Sequence, residues 1–205
     1  IAILYQMLDA GKRILQPSPT YPTHASFESF ASGKATIFYA LDPDNNWQPD
    51  VADIEKQIKA HPEVVGITII NPNNPTGVVY GKEILEKIIT LAKKYHLIII
   101  DDEIYFRMVF PGYTHVNMAE LEHGKVQLIV LRGLSKDMPW PGGRCGWLEF
   151  HNLELDENFR AYTESLKQRI LLEVCASSLP QAVLPLAYDH KDFSEWNANY
   201  SRDLK

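Results

Sequence analysis

The sequence predicts an α/β fold with three layers, in which a mainly parallel β-sheet lies between two layers of helices. Strand-like runs alternate along the chain with segments of helical periodicity, as in βαβ units. The central runs VVGITII (64–70), LIII (97–100) and VQLIVL (126–131) are almost entirely apolar, which is typical of parallel strands covered on both faces. Each of these runs is followed by polar residues, where open α/β sheets bind their ligands.

The N-terminal part of the chain is predicted to contain two helices and two strands. Apolar residues recur at helical spacing in IAILYQML (1–8), and Gly11 suits the position that follows a helix C-terminus. In chain order the next elements are a strand at 13–16 that ends at Pro17, a proline-rich loop at 17–24, a helix at 25–32 and a strand at 35–40.

Helix signals are stronger in the middle of the chain. Asp50 is a suitable N-cap for the helix VADIEKQIKA (51–60), and KEILEKIITLAKKYH (82–96) is clearly amphipathic. Beyond the central strands, the predicted elements are a strand at 145–150, a helix from Leu155 to Val174, and a helical stripe formed by Phe193, Trp196, Tyr200 and Leu204.

Composition and charge exclude several classes of protein. The chain has 205 residues, of which 45% are apolar and 22% charged, and its net charge of −6 disfavours a general nucleic-acid binder. Cys145 and Cys175 lack the spacing of a disulfide framework or zinc site, and the histidines show no metal-ligand spacing. No run approaches the roughly 18 apolar residues of a membrane span, and no signal peptide is visible. We therefore expect a cytoplasmic protein that binds no metal, nucleic acid or membrane.

Both ends of the sequence look incomplete. The first helix begins at Ile1 without a capping Ser, Thr, Asp or Asn, and the chain stops inside the stripe that reaches Leu204. We therefore expect these residues to be part of a longer protein.

The polar residues after the central strands indicate one kind of chemistry. NPNNPTG (71–77), DDEIY (101–105) and RGLSK (132–136) follow three successive strands, so their side chains should meet at one edge of the sheet. A lysine forms a Schiff base with an aldehyde, an aspartate keeps a pyridine nitrogen protonated, and an arginine binds phosphate. An aldehyde, a pyridine ring and a phosphate together describe pyridoxal phosphate.

These motifs, with R-x-G-W at 144–147, resemble those of the fold-type I pyridoxal-phosphate enzymes, most closely the class I/II aminotransferases. That group includes the aspartate, tyrosine and alanine aminotransferases. Each motif alone is weak, but the four occur in the same order and spacing over nearly the whole chain. The resemblance implies that residues 1–190 form the large cofactor-binding domain without its N-terminal part. Residues 191–205 would begin the helix that leads to a small domain.

The resemblance assigns four residues to the reactive part of the cofactor. Lys136 would carry the cofactor as a Schiff base and move a proton between the substrate Cα and the cofactor C4′. Asp102 would pair with the pyridine N–H. Tyr105 and Asn74 would hydrogen-bond the phenolic oxygen of the cofactor.

Three further residues would hold the ring and the phosphate. Tyr21 would stack on the ring, and Ser135 and Arg144 would bind the phosphate. Gly133 stands where many relatives have a serine, which removes one phosphate hydroxyl. The glycine/serine/threonine phosphate loop of the family and its substrate-carboxylate arginine would lie outside this chain.

Each of these residues also has a purely structural interpretation. Lys136 could be a solvated loop lysine, and Asp102 could cap a helix or form a turn. Asn74 could simply build its turn, the two tyrosines could be core aromatics, and Arg144 could form a structural ion pair.

The leading functional hypothesis is a transaminase that moves an amino group between an L-amino acid and a 2-oxo acid and works as a homodimer. A pyridoxal-phosphate-dependent C–S lyase or related lyase would share these motifs. A non-catalytic cofactor-binding fragment is a third hypothesis, and the 205 residues alone are expected to be inactive.

Overall fold

The structure, a computed structural model, describes residues 1–173 and 176–203. Within these residues one sheet contains seven strands. The strands are β1 (Arg13–Ser18), β2 (Phe38–Asp42), β3 (Gln48–Pro49), β4 (Val64–Ile70), β5 (Ile98–Asp102), β6 (Leu128–Gly133) and β7 (Gly146–His151). Their order across the sheet is β3-β2-β1-β4-β5-β6-β7. The five central strands are parallel to their neighbours, and β3 and β7 pair antiparallel at the two edges. The predicted mainly parallel sheet is confirmed.

Helices cover both faces of the sheet. They are α1 (Ala2–Gln6), α2 (Pro22–Ser32), α3 (Val51–Ala60), α4 (Lys82–Tyr95), α5 (Met118–Glu122), α6 (Leu134–Asp137), α7 (Glu157–Leu171), α8 (Ser178–Tyr188) and α9 (Phe193–Asp203). Side chains of α3, α4 and α5 form one apolar core with the sheet, and those of α1, α2 and α7 form a second. Strand alternation divides the two cores, because Ile99 belongs to the first and Ile100 to the second. The chain thus has the predicted three layers.

Several element boundaries differ from the predictions for identifiable reasons. β1 continues through Pro17, because at that position it pairs only with β2 and no longer with β4. α2 begins at Pro22, since proline is well suited to the first turn of a helix. β5 extends to Asp102 and β6 to Gly133, so both strands reach into their polar motifs. α3 and β4 match their predicted ranges.

The C-terminal region contains an additional helix. The predicted helix from Leu155 to Val174 is shorter, because Asp156 caps α7 by accepting from Phe159 N at 2.8 Å. α8 follows and was not predicted, whereas α9 confirms the helical stripe over its described part. Val174, Cys175 and Leu204 lie outside the described residues. None of the described helices has both the length and the apolar character needed to cross a membrane.

Candidate active site

A cavity of about 700 Å³ opens at the carboxyl ends of β4, β5 and β6. Ile70, Asp102 and Leu131 from the ends of these strands contribute to its wall. The seven residues singled out in the sequence all line this cavity, namely Tyr21, Asn74, Asp102, Tyr105, Ser135, Lys136 and Arg144. The expected convergence at one edge of the sheet is therefore present, while the roles of these residues toward a cofactor remain predictions.

Asn74 and Tyr105 are joined to each other on the cavity wall. Asn74 lies in the loop after β4 and Tyr105 in the turn after β5, and Asn74 Nδ2 donates to the Tyr105 hydroxyl at 3.2 Å. Burial raises the pKa of the Tyr105 phenol above its ordinary value of 10.0, although the bond from Asn74 opposes this. Tyr105 is therefore a neutral hydrogen-bond donor at physiological pH. Lys136 Nζ lies 6.0 Å from the centre of the Tyr105 ring.

Asp102 is held through both oxygens of its carboxylate. Oδ1 accepts from Ile104 N at 3.2 Å, which is a turn contact, and Oδ2 lies 2.8 Å from His24 Nε2. Asp102 is the last residue of β5 and does not cap a helix, so only the turn-forming alternative describes part of its role. With the Asp102 oxygen as the acceptor of this hydrogen bond, the donor is the N–H at His24 Nε2.

A buried chain of polar side chains continues behind His24. Its Nδ1 lies 2.8 Å from the Tyr5 hydroxyl, which in turn accepts from Gln16 Nε2 at 3.2 Å and contacts Thr68 Oγ1 at 3.2 Å. Burial raises the pKa of Tyr5, so the phenol stays protonated and donates a hydrogen bond to His24 Nδ1. Asp102 is thereby fixed by contacts that extend to α1 and β4.

Sequence reasoning missed His24 as part of the site. His24 has no metal-ligand spacing in the sequence, and it lies 78 positions from Asp102 in the chain. No local signal marks such a pair, since it depends on how α2 packs against the sheet.

Asp101 and Glu103 flank Asp102 and are used differently. Both oxygens of Asp101 are buried and have no hydrogen-bond partner in the described part of the chain. Burial together with the charge of Glu103 raises the pKa of Asp101 well above 3.8. Glu103 Oε2 lies 2.6 Å from Arg132 Nη2, and its other oxygen lies 3.4 Å from His115 Nε2. Of the three consecutive acids, Asp102 is the one that lines the cavity.

Ser135 and Arg144 lie on the connection between β6 and β7. Ser135 precedes Lys136 in α6, and Arg144 has a left-handed backbone (φ 49°) at the end of a turn over 141–143. Arg144 Nη1 donates to Pro141 O at 2.8 Å, the side chain is exposed, and it has no ion-pair partner among the described residues. Both residues can offer donors to an anion in the cavity.

The structure explains why glycine occupies position 133. A Cβ there would lie 3.0 Å from Cys145 O, 3.1 Å from Ile104 Cδ1 and 3.2 Å from Gly146 Cα. Two of these neighbours are backbone atoms, which cannot rotate away. A serine would therefore need a wider separation of β6 and β7 than this chain has.

Further lining residues were not predicted. Arg132 and Trp147 contribute from β6 and β7, and Ile1 and Leu4 from the N-terminus. Arg132 is neutralised by Glu103 and by Glu149, whose Oε1 lies 3.0 Å from Arg132 Nε. The position of Arg132 beside the LSK motif was a signal that could have suggested it.

Comparisons with known proteins agree with this geometry. A family model described as aminotransferase class I and II matches residues 1–205. An uncharacterized aminotransferase of Methanocaldococcus jannaschii is 44% identical over 196 residues, which cover 96% of this chain and 45% of the relative. A glutamate-pyruvate aminotransferase of Escherichia coli is 35% identical over 187 residues, covering 91% of this chain and 45% of that protein.

A solved structure supports the same assignment. The alanine aminotransferase of Pyrococcus furiosus is 30% identical and superimposes with a TM-score of 0.86, covering 98% of this chain and 49% of that one. This chain thus spans about half the length of the relatives that it matches. With its strand order, cavity and motifs considered together, the chain belongs to the class I and II aminotransferase family.

Proposed function

We propose that the protein is a pyridoxal-phosphate-dependent aminotransferase that moves an amino group between an L-amino acid and a 2-oxo acid. The observation that carries the proposal is the convergence of Lys136, Asp102, Tyr105 and Asn74 on one cavity, in a chain of the aminotransferase family. The cavity offers an exposed amine, a buried carboxylate, a neutral phenol and a guanidinium. These groups fit the aldehyde, ring nitrogen, phenolic oxygen and phosphate of the cofactor, in a volume typical of small-molecule sites.

Bound pyridoxal phosphate would supply an aldehyde that bonds covalently to amines and a protonated ring that withdraws electrons from the substrate Cα. Lys136 would first hold the cofactor and then, once its amine is free, move the proton between the substrate Cα and the cofactor C4′. The position of the Lys136 amine on the cavity wall, 6.0 Å from the centre of the Tyr105 ring, supports this role.

Asp102 and Tyr105 would set the electronic state of the ring. The Asp102 carboxylate would accept the pyridine N–H, and its bond to His24 (2.8 Å) keeps it from rotating away. The neutral Tyr105 hydroxyl would donate to the phenolic oxygen, with Asn74 restraining it. Tyr21 would cover one face of the ring, and Ser135 and Arg144 would bind the phosphate.

The names of the relatives suggest which substrates to assay first. Two of them are named as alanine or glutamate-pyruvate aminotransferases, so alanine with 2-oxoglutarate and glutamate with pyruvate are the first pairs. We also propose that the full-length protein is a cytoplasmic homodimer and that residues 191–205 lead to a second domain. The support for these points is the family resemblance.

The experiment that tests the function compares the full-length protein with Lys136→Ala. After incubation with pyridoxal phosphate and reduction with borohydride, we expect mass spectrometry to find the cofactor attached at Lys136. Lys136→Ala should lose this attachment and lower kcat by about 100- to 10,000-fold. Lys125→Ala, which changes an exposed lysine before β6, is the control and should behave as wild type.

The assay also separates the alternative functions. Transfer of an amino group that requires a 2-oxo acid supports the transaminase, whereas release of ammonia and pyruvate would indicate a lyase. Attachment of the cofactor at Lys136 without turnover of any amino acid would indicate a non-catalytic binding protein. The absence of attachment in the wild-type protein would contradict the proposed cofactor.

A further inference from the structure

The helix that carries Lys136 is too short to hold its own position. α6 spans only Leu134–Asp137, and a helix of this length is not stable without tertiary contacts. Leu134 and Asp137 are fully buried, whereas Lys136 is exposed and lines the cavity. The direction of the Lys136 side chain therefore depends on what holds the two buried residues.

Asp137 is held by residues from the C-terminal part of the chain. The Tyr188 hydroxyl of α8 donates a hydrogen bond to Asp137 Oδ2. Asn197 Nδ2 of α9 donates to the carbonyl oxygen of Asp137 at 3.3 Å. Arg107 Nη1 lies 3.6 Å from Asp137 Oδ2. Burial raises the pKa of Asp137, and the bond from Tyr188 and the nearby guanidinium oppose this rise.

Arg107 links the contacts of Asp137 to the segment that contains Tyr105. Its guanidinium is packed among aromatic rings, at distances from the guanidinium carbon to the ring centres of 4.3 Å for Tyr188, 4.8 Å for Phe106 and 4.8 Å for Phe193. Ser201 Oγ of α9 donates to the Arg107 carbonyl oxygen at 3.1 Å. Arg107 lies two residues after Tyr105 in the sequence. The same contacts thus restrain the segment of Tyr105 and the helix of Lys136.

We propose that Asp137 is a positioning residue for Lys136. Asp137 and its three partners Arg107, Tyr188 and Asn197 are here called the clamp. The clamp fixes α6 so that the Lys136 amine points into the cavity beside Tyr105. The role rests on the proposed function, because it presumes that Lys136 holds the cofactor. It also assigns a task to α8 and α9, which line no part of the cavity.

The test compares Tyr188→Phe and Asp137→Asn in the full-length protein. Tyr188→Phe removes the hydroxyl and keeps the ring that packs on Arg107. Asp137→Asn keeps the shape of the side chain and removes its charge. The matched control is Tyr95→Phe, which deletes a hydroxyl that donates to the Glu55 carboxylate at 2.7 Å, in the part of the chain that packs against the first core.

Three quantities are measured for each variant. They are the rate at which Lys136 is trapped by pyridoxal phosphate and borohydride across a pH series, the kcat and KM, and the melting temperature without cofactor. We expect Tyr188→Phe to slow trapping and to lower kcat by about tenfold, and Asp137→Asn by more, because small misplacements of a catalytic group are costly. The pH profile of trapping should shift in both variants, with KM changed little.

Each outcome decides between the proposals. If both variants melt at a lower temperature but trap the cofactor with the wild-type rate and pH profile, Asp137 is only a structural residue and the clamp proposal is wrong. If Asp137→Asn does not fold, Tyr188→Phe decides alone. A wild-type trapping rate and pH profile in Tyr188→Phe would then overturn the clamp proposal as well. Failure of the wild-type protein to be trapped at Lys136 would instead overturn the proposed function, and the clamp role with it.

Discussion

The neighbouring residues Asp101 and Asp102 have carboxyl groups in different environments. Successive residues of β5 face opposite sides of the sheet. Asp102 lines the cavity, whereas Asp101 is buried and none of the described groups forms a hydrogen bond with its carboxyl. The motif DDEIY identified Asp102, which lies at the end of β5 and lines the cavity as predicted. His24 could not be predicted, because its contact with Asp102 exists only after α2 has packed on the sheet.

This difference predicts opposite results for two similar substitutions. Asp102→Asn should lower kcat/KM by about 100- to 1,000-fold, because it removes the charge that would stabilise the protonated ring. Asp101→Asn should retain nearly wild-type activity, since Asp101 does not line the cavity and an amide has the same shape as a carboxyl group. Steady-state kinetics of both variants, with trapping at Lys136 as a check of cofactor binding, make the comparison. Equal losses in the two variants would contradict it.

Asp101 also predicts a pH dependence of stability. The folded protein binds the Asp101 proton more tightly than the unfolded chain, so the stabilising contribution is present below the ordinary pKa of 3.8 and is lost as the pH rises through the raised value. Asp101→Asn removes this pH-dependent loss of stability, because an amide does not ionise. Urea unfolding of both proteins between about pH 4 and pH 8 should show the variant gaining stability relative to wild type with increasing pH. Parallel profiles would disprove the assignment.

At the scale of elements, the accuracy of prediction followed length and periodicity. α3, α4 and β4 were predicted well, because the two helices are amphipathic and the strand is a long apolar run. β3 has two residues, α6 has four and α5 has five, and such short elements form only because the sheet holds them. α6 was missed for this reason although it carries the most important residue of the candidate site.

The close packing around Gly66 in β4 predicts that a larger residue there would destabilise the fold. A Cβ at this position would lie 2.8 Å from Ile14 Cδ1 and 2.9 Å from the carbonyl oxygen of Ile98. We expect Gly66→Ala to reduce the free energy of unfolding by about 1–3 kcal/mol, since the backbone of β5 cannot yield easily. Gly142→Ala is the control, because a Cβ there would meet no atom of the described residues within 4 Å. Chemical unfolding should separate the two, and equal stabilities would refute the close approach.

At the scale of the molecule, the sequence indicated the layers and the parallel centre of the sheet. It did not reveal the strand order or the antiparallel edges, because pairing depends on contacts between distant segments. The convergence of three strand ends on one cavity could still be predicted, since parallel strands always bring their carboxyl ends to the same edge.

An apolar surface at the C-terminal end of α7 and on α8 leads to a prediction about assembly. Leu171, Leu172, Leu179 and Leu186 are each at least 65% exposed in this chain. We expect the full-length protein to sediment as a dimer that buries this surface. Leu172→Glu should weaken the dimer about tenfold or more, whereas Phe30→Glu on α2 should not. A wild-type monomer at all concentrations would contradict the prediction.

The connection between β6 and β7 has a consequence for engineering. Gly133 and Gly146 lie opposite each other in the antiparallel register, and Leu134 N donates to Cys145 O at 3.1 Å. Backbone contacts therefore close the base of the segment 134–145, which carries Lys136 and Arg144. Such a segment is a natural cassette. A homologous loop grafted between the two glycines should keep the sheet in register, provided that it retains Asp137 and so its contacts with Tyr188 and Asn197.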